Sequence, residues 1–187
     1  MPITGRTLAE AAAKFRDHLN DVLARTVTRT PLVMVEALGR FQLAFRQGGG
    51  PVEAMLGTRF GRVGLYLGQT CESTVEGGLH RLRTVSYRYT LRPEGAEDAL
   101  LRWEYEKAPE VPHCRHHLQG TPALEFGRAG TVSLNALHLP TGFTTIEEVL
   151  RFCIVDLGAA PLSEDWDRIL RESYELFKGD FAPQGQR

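Results

Sequence analysis

"LHRLRTVSYRYTLRPEGAEDALLRWEYEK", residues 79–107, decides how this chain folds. Two runs rich in β-branched and aromatic residues flank Pro93-Glu94-Gly95, where proline presets one backbone angle and glycine admits a positive one. The stretch therefore reads as a β-hairpin. Successive strand side chains point to opposite sides, so Leu101, Trp103 and Tyr105 share one face and Arg102, Glu104 and Glu106 the other. With the loop centred near Gly95, Arg88 has the parity of Arg102 and Glu104 and falls roughly across from them. The ribbon has a polar, charged face.

Toward the N-terminus, "RFQLAFRQ" alternates Phe41, Leu43 and Phe45 with Arg40, Gln42 and Arg46, and "RFGRVGLYLG" is a further strand candidate. Gly48-Gly49-Gly50-Pro51 reads as a turn; it lacks the lysine and hydroxyl of a phosphate loop. Gly61, Gly64 and Gly68 have the wrong spacing for a dinucleotide fingerprint. Before these strands, Thr7-x-x-Glu10 forms a capping box, and Leu8, Ala12, Phe15, Leu19, Val22 and Leu23 make one helical stripe. His18 lies beside that stripe and reads as structural. Toward the C-terminus, "TVSLNALHLP" reads as a strand ending at Pro140. Two helices follow: one capped by Thr144-x-x-Glu147 and stopped by Gly158, the other capped by Ser163 and stopped by Gly179.

This order predicts a single α+β domain over 1–187: an N-terminal helix within 1–30, a mostly antiparallel sheet over 31–143, and two C-terminal helices over 144–179 packed with it on one face. Hydrophobic residues at 42% and charged ones at 24% suffice for a core and argue against disorder. A net charge of -1 excludes a surface coated in basic residues, so any nucleic-acid site is a local patch. Cys71, Cys114 and Cys153 are odd in number and far apart, unlike a secreted disulfide framework. The start has no export signal, and no apolar run approaches the ~20 residues that cross a bilayer. The cytoplasm and no membrane partner are the expectation.

"VPHCRHHLQG", residues 111–120, then concentrates three of six histidines and one of three cysteines in a segment read as a loop. Zinc wants about four Cys, His or carboxylate ligands, and Cys114, His116 and His138, with Cys71 more distant, are its candidates. Adjacent strand residues diverge, which disfavours His116 and His117 sharing one ion, so no resident metal or other cofactor is expected. Acid/base chemistry asks less. Cleaving RNA requires removing the 2′-hydroxyl proton, neutralising the phosphorane and protonating the leaving oxygen; imidazole and guanidinium supply these functions. His113, Arg115, His116 and His117 on the loop and Arg88, Arg102 and Glu104 on the hairpin supply the groups. The competing reading is a solvated loop whose histidines hold strand ends. His138 fits either.

The segment running from Arg102-Trp103-Glu104-Tyr105 through "HCRHH" to "GFTTIEEVLRF" resembles the TumE family of toxin-antitoxin toxins. That family shows tyrosine-rich strands, an Arg-aromatic-acid strand end, a His-x-His element and a closing Phe-Thr-x-x-Glu helix. The resemblance covers about residues 79–157. It implies a toxin acting on RNA, neutralised by an antitoxin partner, with Arg102, Glu104, His116 and His117 at the family's polar positions. The chain departs from that pattern in its N-terminal segment, in the insert between the histidines and the closing helix, and in the helix after Gly158.

The expected function is thus metal-independent RNA cleavage. His116 and His117 serve as acid and base, and Arg102 and Glu104 complete the catalytic set. Arg88, Arg115, His113 and His138 bind substrate. The alternative is a non-catalytic interaction or defence-associated protein on the same scaffold, with Tyr87, Tyr89, Trp103 and Tyr105 as interface anchors.

Overall fold

The computed structural model describes residues 3–37, 39–107, 115–125, 131–133, 137 and 139–181, by backbone alone at 123–125, 131–133 and 178–181. In chain order the elements are α1 (Leu8–Thr26), β1 (Leu32–Ala37), β2 (Arg40–Gln47), β3 (Gly50–Pro51), β4 (Ala54–Thr58), β5 (Gly61–Glu76), β6 (Leu79–Pro93) and β7 (Leu101–Glu106). They continue with β8 (His116–Gly120), β9 (Ala123–Glu125), β10 (Thr131–Ser133), β11 (Leu139–Pro140), α2 (Ile146–Val155) and α3 (Trp166–Phe181). The fold is α+β, as expected. One sheet runs β1-β2-β5-β6-β7-β8-β11, with β3 against β2 and β4 against β5, all antiparallel; β9 and β10 form a separate ribbon.

The long hairpin β5–β6 is the spine of the sheet. Its turn places Gly77 and Gly78 at φ 58° and 77°, which glycine adopts at no steric cost. The shorter hairpin β6–β7 turns where Pro93-Glu94-Gly95 predicts, with Gly95 at φ 77°. Along β5 the partner changes: β4 lies beside Gly61–Leu65 and β2 beside Gly68–Cys71. The second half of β2 turns off to pair β3. β3 and β4 thus lie off the main strand path, beside β2 and β5.

The inner face is covered by the three helices. Phe41, Leu43 and Phe45 of β2, Leu65 and Leu67 of β5, and Tyr87, Tyr89 and Leu91 of β6 join the stripes of α1, α2 and α3 in one buried core. Thr7 caps α1 through the Glu10 amide at 3.2 Å, while the Glu10 carboxylate reaches the Arg6 amide at 2.8 Å rather than that of Thr7. His18 sits where a structural histidine is expected: its Nε2 is 2.9 Å from Ser173 Oγ, and its ring meets Phe177 edge-on.

Three local readings are corrected. The capping box of α2 is Thr145 with Glu148, not Thr144 with Glu147, because Glu147 turns inward, is buried, and accepts a 2.5 Å hydrogen bond from Ser173. Gly179 does not stop α3, which continues to Phe181. The run "TVSLNALHLP" holds two short strands, β10 and β11, rather than one. Among the described residues no helix is long and apolar enough to cross a membrane.

Candidate functional site on the open sheet face

Residues 116 and 117 belong to a strand, not to a loop. β8 pairs with β7 in the register Tyr105↔His116, Glu104↔His117, Trp103↔Leu118, Arg102↔Gln119 and Leu101↔Gly120. Nothing in "HHLQG" favours a strand by propensity; pairing with β7 imposes it. Neighbouring strand residues face opposite ways, so the two histidines separate.

His116 turns to the inner face. Its ring stacks on Tyr105 at 4.3 Å and 4° and meets Phe143 edge-on at 5.4 Å. Burial, then the charges of Arg115 and His117, lower its pKa and keep it neutral. It is an aromatic wall, and the expected acid/base pair of His116 with His117 is not assembled on one face. Arg115 is exposed just before β8 and does not line the cleft, so the structure separates it from Arg102. His113, Cys114 and His138 lie outside the described residues.

The open face gathers Arg88, Arg102, Glu104 and His117. Cross-strand register sets Gly68, Arg88, Glu104 and His117 side by side over four strands, with Tyr66, Thr90, Arg102 and Gln119 as the adjacent row. Glu104 is the hub. Its carboxylate accepts a 2.6 Å hydrogen bond from Arg88 Nε, lies 3.0 Å from Arg102 Nε, and is 3.4 Å from His117 Nε2. The Arg102 Nε contact is an ion pair by distance without hydrogen-bond alignment. A terminal nitrogen of Arg102 donates to Gln119 Oε1. Burial works against ionising Glu104, yet Arg88 and Arg102, then His117, outweigh it and hold the carboxyl below its ordinary value. Two guanidinium groups around one carboxylate leave a net positive site before any charge on the imidazole is counted.

This constellation lies in an open cleft of about 1190 Å³ that extends over Gln42, Ala44, Arg46, Glu53, Met55 and Tyr66. Sequence reasoning missed Arg46, Tyr66 and Gln119 and dismissed Gly64 and Gly68. The signal was present: Gly64-x-Tyr66-x-Gly68 keeps one strand parity, and strand glycines mark close approach. A Cβ at Gly64 would overlap the Glu53 carboxylate, and one at Gly68 would meet the Tyr66 ring at 3.0 Å.

Among the described residues, no three His, Cys, Asp or Glu side chains gather as a metal-binding set. Cys71 is buried on the inner face, and burial pushes its thiol up to about 12, as it does that of Cys153. Neither thiol is a nucleophile near neutral pH.

Gly120 ties β8 to β7. A Cβ there would fall on the Leu100 carbonyl oxygen. Gly120→Ala is therefore expected to push β8 outward, to lower stability by about 1–3 kcal/mol, and to draw Gln119 and His117 away from Arg102 and Glu104. Urea denaturation checks the first effect; a wild-type midpoint refutes the close approach.

No protein-family model matches this chain, and neither does any curated protein or solved structure.

Proposed function

We propose that the open sheet face binds and cleaves RNA phosphodiester bonds. The observation that carries this reading is the convergence of Arg88, Arg102 and His117 on Glu104 at the wall of an open cleft, with Arg88 63% exposed and the His117 side chain buried at 5% exposure. Guanidinium forks match phosphate oxygens, and a half-buried site strengthens that attraction. In the proposed reaction the His117 imidazole takes the 2′-hydroxyl proton as the 2′ oxygen attacks phosphorus. Arg88 and Arg102 balance charge on the phosphorane. The P–O5′ bond breaks to leave a 2′,3′-cyclic phosphate, and the departing oxygen takes its proton from cleft water. Glu104, 3.4 Å from His117 Nε2, orients the imidazole and balances the charge that the proton transfer creates. The resemblance to the TumE toxins supports RNA as substrate and a neutralising antitoxin as protein partner.

The test is RNA turnover by purified protein in the presence of a chelator. Cleavage is expected, and His117→Ala is expected to reduce it by about 10²–10⁴-fold, with His116→Ala much milder. Undiminished cleavage by His117→Ala refutes the mechanism; loss of activity on chelation replaces it with a metal-assisted one. Non-catalytic anion binding is the second reading, favoured because His117 is the only imidazole among the described residues lining the cleft. Tight RNA binding without turnover selects it.

A further inference from the structure

The half of the cleft away from His117 has a different chemistry. Across β1, β2 and β5 the row through Arg88 continues as Val33, Ala44 and Gly68, so one line of cross-strand neighbours passes from apolar and small to charged. Val33 and Met55, both on the outer face, are exposed at 37% and 39%. Between the two halves lies Tyr66. Its ring leans over Gly68, close enough that a Cβ there would stand 3.0 Å from it, and Gly68 has Arg88 as its cross-strand partner. The row of Tyr66 itself leads through Thr90 to Arg102. A partly exposed aromatic ring packed beside Gly68 thus lines the same cleft as Arg88 and Arg102.

Arg46 stands at the rim of the same half. No carboxylate among the described residues pairs with it; its one partner is Gln42 Oε1 at 3.4 Å, and its Nε is buried without an acceptor. Glu53 occupies the space over Gly64 and is 3.4 Å from Arg92, which closes the far end. Tyr66, Arg46, Arg88 and Arg102 thus line one cleft.

We infer that this half is a base-stacking subsite and that the occupant of the cleft is single-stranded RNA. One unpaired base lies on Tyr66, its phosphate is held by Arg88 and Arg102, and Arg46 takes a neighbouring phosphate. This rests on the RNA reading proposed above. Charge complementarity selects a polyanion, and the ring adjoining the arginines selects one with splayed planar bases. A duplex hides its base faces and does not fit.

The experiment measures binding of a short, uncleavable 2′-O-methyl single strand, the same strand with abasic positions, and the same strand annealed to its complement. Wild type is expected to prefer the single strand. Tyr66→Ala should weaken that binding by roughly 5- to 150-fold, Tyr66→Phe should retain it, and neither should alter the weaker binding of the abasic strand. Gly68→Ala, which displaces the ring without removing it, should weaken single-strand binding as well. Equal affinity of wild type and Tyr66→Ala for the single strand overturns the subsite, as does equal affinity of wild type for the abasic strand. Cleavage with Tyr66-independent binding overturns the subsite and leaves the cleavage reading standing. Tyr66-dependent binding without cleavage does the reverse. No RNA binding at all overturns both, and so does a purified protein partner that occupies the cleft in place of RNA.

Discussion

Glu104→Ala is expected to lower stability by about 2–4 kcal/mol and to abolish RNA cleavage at the same time. The carboxylate joins Arg88, Arg102 and His117 across three strands, and its side chain is 15% exposed. Removing it leaves the Arg88 and Arg102 guanidinium groups beside the His117 ring without the carboxylate they share. The loss stays below that of a fully buried pair because Arg88 is 63% exposed and can turn to water. The pH dependence gives a second handle. The folded-state pKa lies below the ordinary 4.5, so ionised Glu104 contributes stability that is fully present above the unfolded value and is lost as pH falls through the folded one. The stability gap between wild type and Glu104→Gln is therefore expected to be constant near neutral pH and to narrow below about pH 4.5. Denaturant unfolding over pH 3–7 measures it. A gap that widens on acidification would mean that the folded protein does not favour the ionised carboxyl.

The charged constellation was half legible in the sequence. Parity around Pro93-Glu94-Gly95 predicts Arg88 roughly across from Arg102 and Glu104, and the register makes Glu104 its cross-strand partner. That inference is local: a turn fixes register, and register fixes faces. His117 and Gln119 were harder, since "HCRHHLQG" lies near Pro112 and has no β-branched residue, and only pairing with β7 makes it a strand. The same pairing separates His116 from His117, which no local pattern reveals. Tyr66 and Arg46 line the cleft on strands whose partners are set across the whole sheet, β5 carrying β4 along one part of its length and β2 along another. At α2, Thr144-Thr145 and Glu147-Glu148 offer two overlapping capping boxes. The choice falls to whichever glutamate finds a buried partner, and Ser173, 26 residues further along, claims Glu147.

The aromatic side of the hairpin gives the sharpest contrast between interface and core. If Tyr87, Tyr89, Trp103 and Tyr105 were anchors awaiting a partner, truncating one would barely change the stability of the isolated chain. Instead Tyr89 is fully buried, stacks on Tyr87 at 4.5 Å and 1°, and its hydroxyl accepts a 2.5 Å hydrogen bond from the Gln69 amide. Tyr87 in turn accepts from the Thr144 amide at 2.8 Å, and Trp103 meets Phe152 of α2 edge-on. The row is the seam between the sheet and the helices, directly behind Arg88 and Arg102. Tyr89→Ala is expected to cost about 3–5 kcal/mol, through lost burial and an unfilled cavity. Tyr89→Phe should cost about 1–2 kcal/mol, because it strips the acceptor from a Gln69 amide whose Oε1 is already without a partner. Urea unfolding of both variants measures the pair. A loss below about 0.5 kcal/mol in Tyr89→Ala, the level of an ordinary surface change, would overturn the core assignment and return the aromatic face to the role of a binding surface.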